Sequence, residues 1–169
     1  MGHRLICGLF GRSSSKSMSK LATMAKLALL TEEGHPRLGL ALTKVELAII
    51  EQKTLDAYAM IEVYCHLLIE RIEVIRDNKE CPSELKEMAA SLIFAASRCG
   101  RLPELEKIRQ MLTSKYGKDF AYNAIEIRNN CGVHPKMVNK LSPLPASMEA
   151  KQNLLKKIAK DNNIAYDIY

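Results

Sequence analysis

The chain reads as all-α, and three observations in its 169 residues lead there. From Leu40 to Cys81 there is neither Gly nor Pro, and good helix formers dominate. The second half of that span carries Tyr58, Ile61, Cys65, Leu68, Ile72 and Ile75 at steps of three and four, the spacing that puts side chains on one helix face. No stretch shows the alternation of a half-buried strand.

The elements follow in order. A short helix is expected at 19–30, with Leu21, Met24, Ala25 and Ala28 on one face, before Gly34 and Pro36 break the chain. One long helix is expected over about 38–77, roughly 60 Å at 1.5 Å per residue. Within it, Leu47-Ala48-Ile49-Ile50 surrounds a whole turn with apolar side chains. That turn should be partly uncovered and should drive self-association. Pro82 sits where proline starts a helix, with Glu84 near the positive end of the dipole, so 82–98 is the third helix. Its stripe is Leu85, Met88, Ala89, Leu92, Ile93 and Ala96. Pro103 opens the next, 103–116, with Leu105, Ile108, Leu112 and Tyr116 inward and Gly117 as its C-cap. A helix over 118–129 carries Phe120, Ala124 and Ile127. Pro135 begins a short one at 135–141, and Pro143 and Pro145 stiffen the connector after it. Ser147 caps the last, 147–161, with Leu154, Leu155 and Ile158 opposite Lys156, Lys157 and Lys160.

Composition excludes several classes. Hydrophobic residues at 47% rule out disorder over the whole length. No apolar run approaches the 18 or so residues of a transmembrane helix. Aromatics at 5%, without Trp, cannot build a base-stacking platform. Five Cys without repeated spacing fit reduced thiols in a cytosolic setting.

Charge is uneven: residues 1–30 carry +5 with no acid, 41–80 carry −3, and 118–169 carry +3. The basic-plus-apolar arm, with Lys16, Lys20 and Lys26, suits an anionic membrane surface. Met1 to Ile6 nearly matches a myristoylation signal but has Ile6 where Ser or Thr is required. An Arg- and Ser-containing leader without acids also resembles a transit peptide in composition. The net +6 leaves a basic helical nucleic-acid-binding module as the alternative reading.

No catalytic constellation survives inspection. Cys131 and His134 have a C-x-x-H spacing, but zinc needs three or four ligands and there is no second pair. Asn130-Cys131-Gly132 reads as a turn. Cys65 and His66 are adjacent on a helix, so their side chains diverge by about 100°. Tyr116-Gly117-Lys118 lacks the glycines of a phosphate loop. Glu70 and Glu73 lie among Arg71 and Arg76 as ordinary surface charge. The chain is read as a non-enzyme, and no cofactor or metal is implied.

Longer motifs carry a resemblance. Lys44-Val45-Glu46, Leu55-Asp56-Ala57-Tyr58 and Ile61-Glu62-Val63-Tyr64-Cys65 are followed by Glu80-Cys81-Pro82-Ser83-Glu84-Leu85-Lys86-Glu87 and Ser91-Leu92-Ile93-Phe94-Ala95-Ala96. Then come Arg98-Cys99, Leu102-Pro103-Glu104-Leu105, Tyr116-Gly117-Lys118-Asp119-Phe120, Cys131-Gly132-Val133 and Lys140-Leu141-Ser142. In this order they resemble the increased-sodium-tolerance (Ist) family over about residues 38–164. The resemblance implies an ESCRT-III-like helical bundle without catalytic residues. It implies a regulator of the vacuolar-protein-sorting AAA ATPase that disassembles ESCRT-III, acting in multivesicular-body sorting and protein transport. The implied partners are first-class charged multivesicular body proteins, and the implied location is cytoplasmic, peripheral on endosomes.

Two departures from the family, and a smaller third at Lys44, accompany it. The first helix looks shortened, which divides the chain into a basic arm with a residual first helix at 1–37, the helical domain at 38–164 and a tail at 165–169. The resemblance also offers the AAA ATPase itself as a partner, although the C-terminal helices by which the family docks on it are not matched here, which puts direct docking in doubt. Lys44 replaces the family's usual Arg and loses a bidentate fork. Lys44, Arg71, Lys136 and Lys140 are the expected polar contacts to a partner helix.

Overall fold

The computed structural model describes residues 22–28, 37–100 and 102–164. All regular structure among the described residues is helical. Residues 22–28 form α1. Then come α2 (Leu38–Glu70), α3 (Ile72–Asp77), α4 (Ser83–Arg98), α5 (Pro103–Tyr116), α6 (Lys118–Ile125), α7 (Pro135–Lys140) and α8 (Met148–Asp161). They belong to two compact units, one drawn from Met1–Leu55 with Pro143–Tyr169 and the other from Asp56–Ser142. The boundary falls inside α2.

In the first unit, Ala25 and Ala28 of α1 meet Ala41 and Val45 of α2 and Leu155, Ile158 and Ala159 of α8. Small residues at the contact let the helices come close, and Ile49 and Leu154 fill its margin. Lys151 of α8 pairs with Glu46 of α2 at 2.8 Å, both side chains largely shielded. The Ser147 hydroxyl accepts the Ala150 N–H at 3.2 Å, so this serine caps α8 as its position predicts. Leu47 and Ile50 are each 44% exposed, the uncovered turn that the sequence indicates.

In the second unit, α4 is the centre. Met88 through Ala96 are all buried, so the predicted stripe of six is too narrow a description. Ala90, Ser91, Phe94 and Ala95 face cover as well. α5 and α6 both pack on α4 and on each other. Gly117, at φ 95°, is at once the C-cap of α5 and the N-cap of α6, a conformation that favours glycine. The Tyr116 hydroxyl is buried with no well-formed hydrogen bond, and its ring lies 5.6 Å from that of Phe120, tilted by 59°.

Three expectations need correction. The long helix does not run evenly from 38 to 77. Arg71 leaves helical geometry (φ −105°, ψ 14°) and separates α2 from α3, although Arg71 N–H still reaches Leu67 O and Ile75 N–H reaches Arg71 O. No Gly or Pro signals that step. It turns Ile72 out to 41% exposure while Ile61, Cys65, Leu68 and Ile75 stay buried. The helix expected over 118–129 stops at Ile125. Ile127 takes a left-handed backbone (φ 51°) and Arg128 N–H closes back on Asn123 O, so Ile127 is 43% exposed rather than inward. Pro82 lies one position before the start of α4, as its N-cap. The part of the 19–30 helix beyond 22–28 lies outside the described residues.

Two outcomes follow. Leu92→Asp places an unpaired carboxylate at a fully buried position and should abolish cooperative thermal melting, since the cost is several kcal/mol, roughly a domain's whole margin. Ile127→Gly relieves a left-handed β-branched residue and should raise stability by about 1 kcal/mol in urea melts.

Candidate partner-binding surface

Arg37 and Lys44 stand two turns apart along α2, Arg37 accepting the Ala41 N–H as the helix opens. With Met24, Leu27, Ala28 and Leu40 they line a cleft of about 230 Å³ between α1 and α2. Among the described residues its floor is apolar, its polar lining is two cations, and no carboxylate contributes. Such a cleft accepts an apolar ridge flanked by acidic groups. Lys44 is thus on a cleft, as expected. Arg37 was legible only as the residue after Pro36, and its partnership with Lys44 depends on where the helix starts.

The other expected contacts belong to the second unit. Arg71 is exposed at the step between α2 and α3. Lys136 and Lys140 stand four residues apart on α7, one face of that helix. Lys136 is exposed. Lys140 is ion-paired with Asp56 of α2, so its ammonium already serves the fold. Lys26 lies half-buried on α1, while Lys16 and Lys20 fall outside the described residues.

α7 is held in place by its neighbours. The His134 N–H donates to Ser91 Oγ of α4 at 3.0 Å, and His134 Nδ1 accepts the Lys136 N–H at 3.0 Å. His134 therefore works as a helix cap. Asn130 (φ 60°) and Gly132 (φ 84°) make the turn expected around Cys131. A Cβ at Gly132 would come within 2.9 Å of the Lys86 stem, which packs on that backbone. Among the described residues no group of three His, Cys, Asp or Glu side chains could hold a metal ion.

Tyr64 of α2 donates to Glu87 Oε1 of α4 at 2.9 Å. Burial first, then the Glu87 carboxylate, push its phenol up to about 12, while the neighbouring Ser91 hydroxyl acts the other way. Tyr116 is likewise pushed up to about 12, by burial and then by the adjacent Cys81 thiol. Burial raises the Cys65 thiol to about 11 and also raises Cys81 and Cys99, which keeps these sulfurs protonated and poorly nucleophilic.

Both phenols are held neutral above the ordinary value of 10. Their contribution to stability is complete below pH 10 and is lost as pH rises from about 10 to about 12. Thermal melts across that window should fall steeply, and Tyr64→Phe or Tyr116→Phe should each flatten the fall. At pH 7 the two diverge: Tyr64→Phe leaves Glu87 without its donor and lowers the melting temperature. Tyr116→Phe removes an orphaned hydroxyl and leaves it equal or higher.

The family described as "Regulator of Vps4 activity in the MVB pathway", Ist1, matches residues 12–165, which extends the likeness upstream of residue 38. An IST1-like protein of Dictyostelium discoideum is 34% identical over 125 residues, covering 72% of this chain and 32% of that protein. The vacuolar protein sorting-associated protein IST1 of Saccharomyces cerevisiae is 26% identical over 131 residues, covering 73% of this chain and 43% of its own length. The chain thus spans less than half the length of these relatives. The solved S. cerevisiae Ist1 N-terminal domain, in complex with a Did2 MIM motif, superposes with a TM-score of 0.68 at 24% identity. That match covers 91% of this chain and 87% of the solved one, and it speaks for the fold. With the family match running through nearly the whole sequence and the helices falling where that fold has them, the chain belongs to the Ist1 family.

Proposed function

We propose that this chain is a non-enzymatic, ESCRT-III-associated interaction protein. It receives an amphipathic helix from a first-class charged multivesicular body protein and so regulates the AAA ATPase that disassembles ESCRT-III in endosomal multivesicular-body sorting. The observation that carries this reading is the family match over residues 12–165. The Did2 MIM motif bound to the yeast domain supports a motif of a partner protein as ligand. The α1–α2 cleft supplies a fitting receptor, apolar beneath and cationic at Arg37 and Lys44. Arg71 and Lys136 are exposed cations of the other unit, available on that unit's own surface to acidic groups. Lys140 contributes only by exchanging Asp56 for one of them.

The chain acts at the cytoplasmic face of endosomes, where Lys16, Lys20 and Lys26 attract anionic lipid. No described helix is long and apolar enough to cross a membrane, which fits peripheral attachment. Residues 1–37 carry the basic arm for the membrane and also lend Met24, Leu27, Ala28 and Arg37 to the cleft, which the helical domain at 38–164 completes; 165–169 are a tail.

Titration of the full chain against fluorescent C-terminal peptides of first-class charged multivesicular body proteins should give saturable binding. Arg37→Glu should weaken it at least about fivefold, a loss of about 1 kcal/mol. Absence of binding to every such peptide would remove the reading. Binding indifferent to Arg37→Glu and Lys136→Glu would move the site elsewhere on the domain.

A further inference from the structure

Helix α2 carries a second apolar stripe, turned away from the buried Ala41 and Val45 that meet α1 and α8. Leu40 and Lys44 at its start also border the α1–α2 cleft, so a docked copy and a docked partner helix compete there. Leu40 is 45% exposed, alongside Leu47 and Ile50. Thr43 and Thr54 complete the row. The Thr43 hydroxyl donates to Gly39 O at 2.9 Å and the Thr54 hydroxyl to Ile50 O at 3.0 Å. Each oxygen is folded back onto its own helix, which gives the outward place to the methyl group. The row then reads Leu40, Thr43, Leu47, Ile50, Thr54, at steps of three, four, three and four. That is the seam spacing of a two-helix coiled coil, over about 21 Å of helix.

We propose that the seam docks a second copy of this chain, α2 against α2 in antiparallel orientation about a two-fold axis. A two-fold interface must be complementary to itself. This one is. With Leu47 opposite Ile50 of the second copy, the second pair of layers sets Thr43 opposite its Thr54, in the same register. Lys44 and Glu51 flank the seam on one edge, and the two-fold brings each beside the other's counterpart, giving two opposite-charge pairs per dimer. Neither side chain has an ion pair among the described residues. A parallel arrangement would set Glu46 against Glu51 of the second copy, two like charges. The opposite edge is closed by the Glu46–Lys151 pair within each chain, so recognition rests on the Lys44 and Glu51 edge.

Sedimentation equilibrium of the full 169-residue chain from about 1 to about 200 µM tests this. A reversible monomer–dimer equilibrium is expected. Lys44→Glu and Glu51→Lys should each weaken the dimer about tenfold, by turning two attractions into repulsions. The two changes in one chain should restore it, and an equimolar mixture of the two single variants should form a heterodimer. Ile50→Arg should abolish association with the thermal melt retained. A chain that stays monomeric at every concentration overturns the proposal. So does a dimer that neither charge reversal weakens, or single variants that fail to pair when mixed.

Discussion

Nine consecutive residues of α4, Met88 to Ala96, are withdrawn from water, and that confinement governs the second unit. A helix buried on every side can tolerate a polar group only if its hydrogen bonds are met. Ser91 is the one polar residue buried there, and its hydroxyl accepts the backbone N–H of His134. Through that contact the central helix fixes the loop before α7. Tyr64, bonded to Glu87 one turn earlier on α4, fixes α2 against the same helix. Lys140 and Asp56 close the remaining side. Within this unit, the position of α7 and of the part of α2 after residue 55 thus derives from what α4 can accept.

Much of this was legible. Pro103, Pro135 and Ser147 announce their helices because each satisfies a local rule of helix starts, and α5, α7 and α8 begin where those rules put them. The three-four spacing of Ile61, Cys65 and Leu68 marks a face that is indeed buried. What could not be read were steps that local chemistry does not announce. Arg71 and Ile127 both leave helical geometry without Gly or Pro, Ile127 beside the returning hydrogen bond from Arg128 N–H to Asn123 O. Spacing alone therefore carries the helical phase past them: Ile72 joins the inward stripe and Ile127 the helix, while both face water.

The candidate surface was read less fully than the fold, for a related reason. A single cation on a helix has no address until its neighbours are placed. Lys44 gains meaning from Arg37 and the apolar floor beneath both. Lys140 loses its freedom to Asp56, which lies 84 positions away in the chain. Charge counting finds such residues but cannot say which are already engaged.

Gly117 is the whole corner between α5 and α6, for it closes one helix and opens the next. With no spare linker, the phase of α6 is locked to that of α5. One inserted residue would spin α6 by about 100° and lift Ala121 and Ala124 out of their seats against α4. The length of this corner is therefore as constrained as its glycine, and a frame-preserving insertion here should harm the protein more than most substitutions on its surface.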